Sequence, residues 1–513
     1  MGMGWDKVMN RKMMLGCSAA ALVVAAAAPA VIGQQRAIRT VSSISAQDKA
    51  TGEKQHPELL KEFGGGYSGP QAKYVESVGR RIAVQSGLSN AQSDFTVTLL
   101  NSPVNNAFAI PGGYVYVTRQ LMALMNDEAE LAGVLGHEVG HVAAQHGQRR
   151  QKTAQRNAIG GALLGALAGA FLGDSGFGNL IQKGIGTGSQ LLTLKFSRSQ
   201  EYEADDLGIR YLASGGYDPR ALSDMLASLA AQSNLDARLA GSARSTPEWA
   251  STHPDPASRV NRAARGATGS GSAATVRNRD AFLAALDGTL YGDDPKQGVI
   301  DGSRFRHPDL RLTFSAPNGF GMENGADAVS ITGSGGQAQF SAAPYSGNLA
   351  SYIDGVFAQM GGGQGRVPAG DVSRTTVNGL PAAWRTVRAT SQSTQVDATV
   401  FAYDFGGGKA YHFLLLTPAG RGIAPFSAMV QSMQRLSAQD SAAIKPRRIF
   451  TRLGVTARLN LGENLFHGRM GLGGIRCGGQ RCFLEVFKGH RPVLHKLTRS
   501  NANRESRPAA SPM

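Results

Sequence analysis

Cysteine is almost missing from this 513-residue chain, which has only Cys17, Cys477 and Cys482. No disulfide framework holds such a fold, and a Cys477–Cys482 pair within the tail is the one bridge left open. Long apolar runs are equally scarce. One, Met13–Ala28, follows Lys7, Arg11 and Lys12 and leads into Ala28-Pro29-Ala30. That is the layout of a cleaved secretory signal peptide over residues 1–30, with the periplasm or beyond as destination. An uncleaved membrane anchor is the rival, because the run is nearly long enough to span. Leu15-Gly16-Cys17 also brushes against a lipoprotein signal, but almost no apolar run precedes the cysteine. The other run, Ile159–Gly173, is short of the roughly 20 residues a spanning helix needs. Its many glycines suit a buried hairpin, a lid or a contact with membrane-bound clients better than a span. Acid is short relative to base, 37 Asp and Glu against 53 Lys and Arg, for a net charge of +16. Between Lys445 and Arg507, however, 14 basic residues face 3 acidic ones, so +11 of the +16 lies in the tail. The rest is close to balanced, which argues against specific nucleic-acid binding. The basic tail, 441–513, is either solvated or in touch with an anionic membrane or lipopolysaccharide. Hydrophobic content of 42 % and charged content of 18 % are those of a globular protein with room for two or three domains.

What the chain does have is Gly136-His137-Glu138-Val139-Gly140-His141, an H-E-x-x-H pattern. Residues four apart share a helix face, so His137 and His141 can aim two imidazoles at one zinc ion. Glu138 beside them can take a proton from water. Asn126-Asp127 offers a cap, Glu128 and Glu130 favour the helix N-terminus, and Leu131, Val134, Leu135, Val139 and Val142 form an apolar stripe. A second stretch, Ser197-Arg198-Ser199-Gln200-Glu201-Tyr202-Glu203-Ala204-Asp205, again sets two acids four apart on a helix-compatible run. A catalytic zinc takes three protein ligands and keeps one position open. Glu201 completes a His-His-Glu set, Asp205 can orient a ligand imidazole or handle protons, and Glu203 reads as a solvated acidic face.

HEVGH, S-R-x-x-E-x-E-A-D and the upstream Asn106-Ala107-Phe108-Ala109-Ile110-Pro111-Gly112-Gly113 together resemble the CAAX-prenyl-protease-type zinc metallopeptidases, in their soluble periplasmic BepA-like branch. The resemblance covers about Gln55 to Arg265. It implies a mainly helical, gluzincin-like catalytic domain with a small sheet, one zinc per chain on His137, His141 and Glu201, and Glu138 as general base. In zinc peptidases an edge strand beside the metal binds extended peptide through its backbone. The resemblance favours that role for Ala107, Phe108, Ala109, Ile110, Pro111, Gly112 and Gly113 over that of a plain core strand. It also implies that His253, in Thr252-His253-Pro254-Asp255-Pro256, can occupy the fourth zinc position. The expected activity is endopeptidase cleavage of misassembled or unfolded envelope proteins, with the outer-membrane assembly machinery as a candidate partner. A non-proteolytic or weakly proteolytic chaperone for outer-membrane proteins is the alternative. Prenyl-peptide processing is disfavoured by the lack of several spanning segments.

Along the chain, 34–54 is polar and reads as loose. Leu59-Leu60 and Ala72–Ala83 have helical spacing, with Gly64-Gly65-Gly66 as a breaker. Phe95–Leu100 and Tyr114–Val117 alternate as strands, and Arg220–Leu229 begins a helix. Gly266–Ala274 reads as a linker closing a 31–265 protease domain, with 266–300 as connection. From 301 to 440 the periodicity turns to strands: Leu310–Phe314, Gln339–Ala342, Ala382–Val387, Val396–Tyr403 and Tyr411–Leu416. Helices are expected over Asn348–Met360 and Pro425–Leu436. The fold class is therefore α+β, with a smaller α+β accessory domain whose strand openings faintly resemble the PsbP/Mog-one-like fold. No helical repeat follows residue 265, His307 and His412 stand alone, and the tail after Arg447 has no sustained period.

Overall fold

The computed structural model describes residues 40, 43–150, 196–240, 249, 252–360, 370–391, 394–451, 483–488 and 491–496. The expected signal peptide, the Gly-rich 159–173 run, both tail cysteines and most of the basic tail lie outside the described residues. No helix among those described is long and apolar enough to cross a membrane.

The chain is mixed α+β, and helices dominate its first part. Helix α1 (Ala46–Glu62) is capped by Ser45, whose hydroxyl accepts from Asp48 N at 3.0 Å. The expectation of a loose segment through residue 54 is therefore wrong from Ala46 onward: a good cap starts the helix where composition showed only polarity. It stops at the three glycines, two of which take positive φ (Gly64 78°, Gly65 89°). Helix α2 (Pro70–Ala83) leads to a three-stranded sheet of β1 (Thr96–Leu100), β2 (Ala107–Ile110) and β3 (Tyr114–Thr118), in the order β1-β3-β2. β3 pairs with β1 in parallel and with β2 antiparallel, so β2 is the edge. The β2–β3 turn needs glycine. Gly112 and Gly113 have φ of 93° and 86°, and a Cβ on them would lie 2.7 Å from the Asp48 carbonyl and 2.4 Å from that of Asp94. A short helix α3 (Arg119–Met122) then precedes α4 (Glu128–Ala143), α5 (Arg198–Ser214), α6 (Ala221–Ala240) and α7 (Pro256–Gly269).

The span 266–300, expected as a linker, is instead packed onto this body. α7 runs through Gly269, and helix α8 (Arg279–Leu286) buries Phe282 and Leu286. Arg277 reaches Asp127 at 3.2 Å, Asp218 at 3.1 Å and Asp224 at 2.6 Å. Asn278 donates to Glu128 at 2.9 Å, and buried Arg119 donates to the Leu290 carbonyl at 3.1 Å. Small residues suggested freedom, but a single arginine meeting three carboxylates removes it.

The second part is a sandwich. β10 (Ser373–Val377), β11 (Leu380–Ser391), β12 (Thr394–Gly406), β13 (Lys409–Pro418), β9 (Gly336–Ala342), β8 (Val329–Gly333) and β7 (Gly321–Asn324) form a seven-stranded sheet in that order. A four-stranded sheet runs β14 (Gln434–Arg435), β6 (Leu312–Ser315), β5 (Arg304–His307), β4 (Val299–Asp301). The period of two divides β12 cleanly. Phe401 and Tyr403 face a core shared with Phe305, Phe314, Phe426 and Met429, whereas Ala398, Val400 and Ala402 face helix α9 (Leu349–Met360). Pro425–Leu436, expected as one helix, is the five-residue α10 (Ser427–Gln431) followed by β14, because Gln434 and Arg435 pair with β6. Ile449, near the start of the basic tail, is held by backbone hydrogen bonds: its N donates to the Thr289 carbonyl at 2.9 Å, and Gly288 N donates to its carbonyl at 2.7 Å.

Candidate metal centre

Helix α4 is buried along nearly its whole length, and its glycines decide how close its partners come. Asp127 caps it, accepting from Glu130 N at 3.0 Å. A Cβ on Gly140 would lie 3.1 Å from Leu207 Cβ, and one on Gly208 would lie 3.2 Å from the His137 backbone nitrogen. α4 and α5 thus meet nearly backbone to backbone. Ser197 and Gln200 form a reciprocal capping box on α5, which holds Glu201 in the first turn, facing the α4 histidines.

One donor atom from each of His137, His141, Glu201 and His253 lies within 4.8 Å of the others, all four buried. His137 Nε2 and His141 Nε2 are 3.0 Å apart. Glu201 carboxylate oxygens lie 3.7 Å from His137 Nε2 and 3.6 Å from His141 Nε2. His253 Nδ1 is 3.1 Å from Glu201 Oε1 and 3.5 Å from His137 Nε2, and its Nε2 is 3.6 Å from Glu138 Oε1. His253 is oriented by its backbone N–H, which donates to the Trp249 carbonyl at 2.8 Å, and its ring stacks on Trp249 at 4.8 Å. Glu138 Oε1 is buried without a hydrogen-bond partner. Asp205 sits behind the cluster, with Oδ1 3.1 Å from His137 Nδ1. Two imidazoles, a carboxylate and a third imidazole converging in a buried spot form a donor set that suits a divalent ion of the zinc type.

Charges around the cluster are strongly coupled. Burial pushes the Glu138 carboxyl above its ordinary value, against the pull of His253 and His137. Burial drives His141 well below the usual imidazole range, with His137 and His253 adding to the effect, so the ring is neutral and able to ligate. Glu201 and Asp205 are also penalised by burial, yet both are held below the ordinary carboxylate range. For Glu201 the charges of His253 and Arg259 prevail, and for Asp205 those of Arg259 and His137. Arg259, fully buried, donates to Asp205 at 2.9 and 2.5 Å and also to Glu201.

The sequence reading left three contributors without a role. Arg259 is one. Phe196, stacked on the His141 ring at 3.8 Å, is another. The third is His146, buried with Nδ1 2.8 Å from His141 Nδ1 and Nε2 2.9 Å from Glu203 Oε2. Glu203 is therefore not the solvated acid expected of it. A histidine five residues beyond a ligand histidine was the available signal.

The expected substrate strand is β2 with its turn, and it lies at the sheet edge. Ala109, Pro111 and Gly112 line an open cleft of about 90 Å³ whose other walls include His141, Val142, Phe196 and Arg150.

Residues 70–266 match the family model described as Peptidase family M48. Among curated proteins, the beta-barrel assembly-enhancing protease of Yersinia pestis is 30 % identical over 226 residues, 43 % of this chain and 44 % of that one. Its namesake from Escherichia coli K12 is 29 % identical over 192 residues, 37 % of each chain. The mitochondrial metalloendopeptidase OMA1 of Schizosaccharomyces pombe is 30 % identical over 220 residues, 42 % of this chain and 59 % of that one. The matches thus span between about a third and three fifths of these relatives. The family match takes in His137, His141, Glu201 and His253, and over residues 70–266 this chain is similar to peptidase family M48.

Proposed function

We propose that the chain is a zinc-dependent endopeptidase of the bacterial cell envelope that hydrolyses peptide bonds of unfolded or misassembled proteins. The observation that carries this reading is the buried His137–His141–Glu201 set with an unpartnered Glu138 oxygen beside it. A zinc ion held there supplies Lewis acidity toward a scissile carbonyl and makes water acidic enough to lose a proton near neutral pH. Glu138 takes that proton and returns it to the leaving amine, and its burial-raised pKa suits both transfers. Asp205 orients His137 through Nδ1 and is itself fixed by Arg259. An extended substrate adds to the free edge of β2, with side chains entering the cleft beside His141. His253 then has a regulatory role: as a fourth ligand, through a ring nitrogen, it would exclude the water that Glu138 would deprotonate.

The envelope setting rests on the expected signal peptide and on the relatives named for β-barrel assembly, which also make outer-membrane assembly components candidate partners. We read residues 301–440 as an accessory domain separable from the catalytic part. Purified protein is expected to hold one zinc per chain, and His141→Ala to lose metal and cleavage together. Stoichiometric zinc in an active His141→Ala protein would remove the assignment. If neither wild type nor Glu138→Gln degrades an unfolded client and both suppress its aggregation, the chaperone reading replaces this one.

A further inference from the structure

We propose that His146 and Glu203 form a relay that fixes the tautomer of His141, making them positioning residues for the metal site. The inference rests on the reading of His141 as a zinc ligand and adds a device specific to that ligand. The chain turns back just after α4 through Gln145, whose φ of 54° is unusual for a non-glycine residue. That turn puts the buried His146 ring edge-on to His141, with ring centroids 4.8 Å apart and the two Nδ1 atoms 2.8 Å apart. Gln200 Nε2 donates to the His146 carbonyl at 3.4 Å, tying the turn to α5.

Two facing ring nitrogens at that distance need one proton between them, and geometry alone does not say whose it is. Glu203 decides it. Its Oε2 lies 2.9 Å from His146 Nε2 and also accepts from Arg149 Nη2 at 2.8 Å. A carboxylate only accepts, so His146 carries its proton on Nε2 and presents a lone pair at Nδ1. That lone pair accepts the His141 Nδ1 proton, which leaves the His141 Nε2 lone pair directed at the cluster. The reverse arrangement would set the Glu203 carboxylate against a nitrogen lone pair and protonate the nitrogen that has to ligate. At His137 the neighbouring group is a carboxylate, with Asp205 Oδ1 at ion-pair distance, 3.1 Å, from Nδ1. His141 is instead reached through a second histidine.

The test is zinc affinity by chelator competition, together with the visible spectrum of the cobalt-loaded full chain. His146→Leu removes the acceptor and strands a buried N–H, and should weaken zinc binding by roughly 10–100-fold with an altered cobalt spectrum. His146→Asn keeps an acceptor oxygen near the Nδ1 position and should restore most of the affinity. Glu203→Ala, at a partly exposed position, should fall between wild type and His146→Leu, whereas Glu203→Gln, which still accepts, should stay near wild type. Wild-type affinity and spectrum in His146→Leu would overturn the relay. So would equal losses in His146→Leu and His146→Asn, which would mean that the ring only fills space. A wild-type chain that binds no zinc would instead refute the metallopeptidase reading itself.

Discussion

Replacing Arg259 by leucine tests the electrostatic frame of the site. Arg259 is 1 % exposed and donates to both Asp205 and Glu201, which are also fully buried. Leucine fills part of the space but leaves two buried carboxylates without their cation. Removing one partner of a buried ion pair costs about 3–5 kcal/mol, far more than an exposed pair contributes. The sign with pH follows from Asp205, whose folded-state pKa is held below its usual 3.8, chiefly by Arg259 against burial. Its stabilisation is fully present above the unfolded value and is lost as pH falls through the lowered one. In Arg259→Leu burial acts unopposed by the guanidinium, so the carboxyl titrates higher and the variant's deficit grows as pH rises from about 4 toward 7. The assay is amide hydrogen exchange of α5 in metal-free protein, where 3–5 kcal/mol is roughly two to three and a half orders of magnitude in protection. Arg259→Lys should recover only part of it, since lysine cannot bridge two carboxylates in a planar fork. Protection in Arg259→Leu within about threefold of wild type at pH 7 would refute the reasoning.

Two further outcomes follow from the same geometry. His253→Ala should retain zinc and cleave an unfolded substrate faster than wild type; unchanged cleavage with unchanged metal would reduce His253 to loop structure. Arg277→Ala removes the cation that reaches Asp127, while Asp218 keeps Arg220, and should destabilise the catalytic part by about 1–3 kcal/mol in urea unfolding. No change in midpoint would mean that 266–300 behaves as the linker its composition suggested.

The readable part of the site was the part written in helical period. His137, Glu138 and His141 on α4, with Glu201 and Asp205 on α5, are pairs spaced by the helix itself, and the structure brings their side chains together. Arg259, His146 and Glu203 act across elements, and apart from the five-residue step from His141 to His146 nothing in their local spacing distinguishes them from surface charge. Their meaning depends on how closely α4 and α5 approach, which is set by Gly140 and Gly208. The fold divides the same way. Long apolar strands such as β12 and β13 were legible, because buried residues on two faces leave a strong pattern. β4, β7 and β10 were not, since β4 has only three residues and β7 and β10 are short and largely polar, and pairing partners rather than sequence make them strands. The Gly/Ala/Ser run near 270 suggested freedom that Arg277 cancels from a few residues away.

The central claim is that Glu138 handles the proton at a zinc centre held by His137, His141 and Glu201. Wild type and Glu138→Gln should be loaded to the same zinc content, given an unfolded envelope polypeptide, and their products compared by mass spectrometry. The account predicts one zinc per chain in both, defined internal cleavages with wild type, and a rate lower by at least about 100-fold with the variant. Equal cleavage by the two proteins at equal zinc would contradict it.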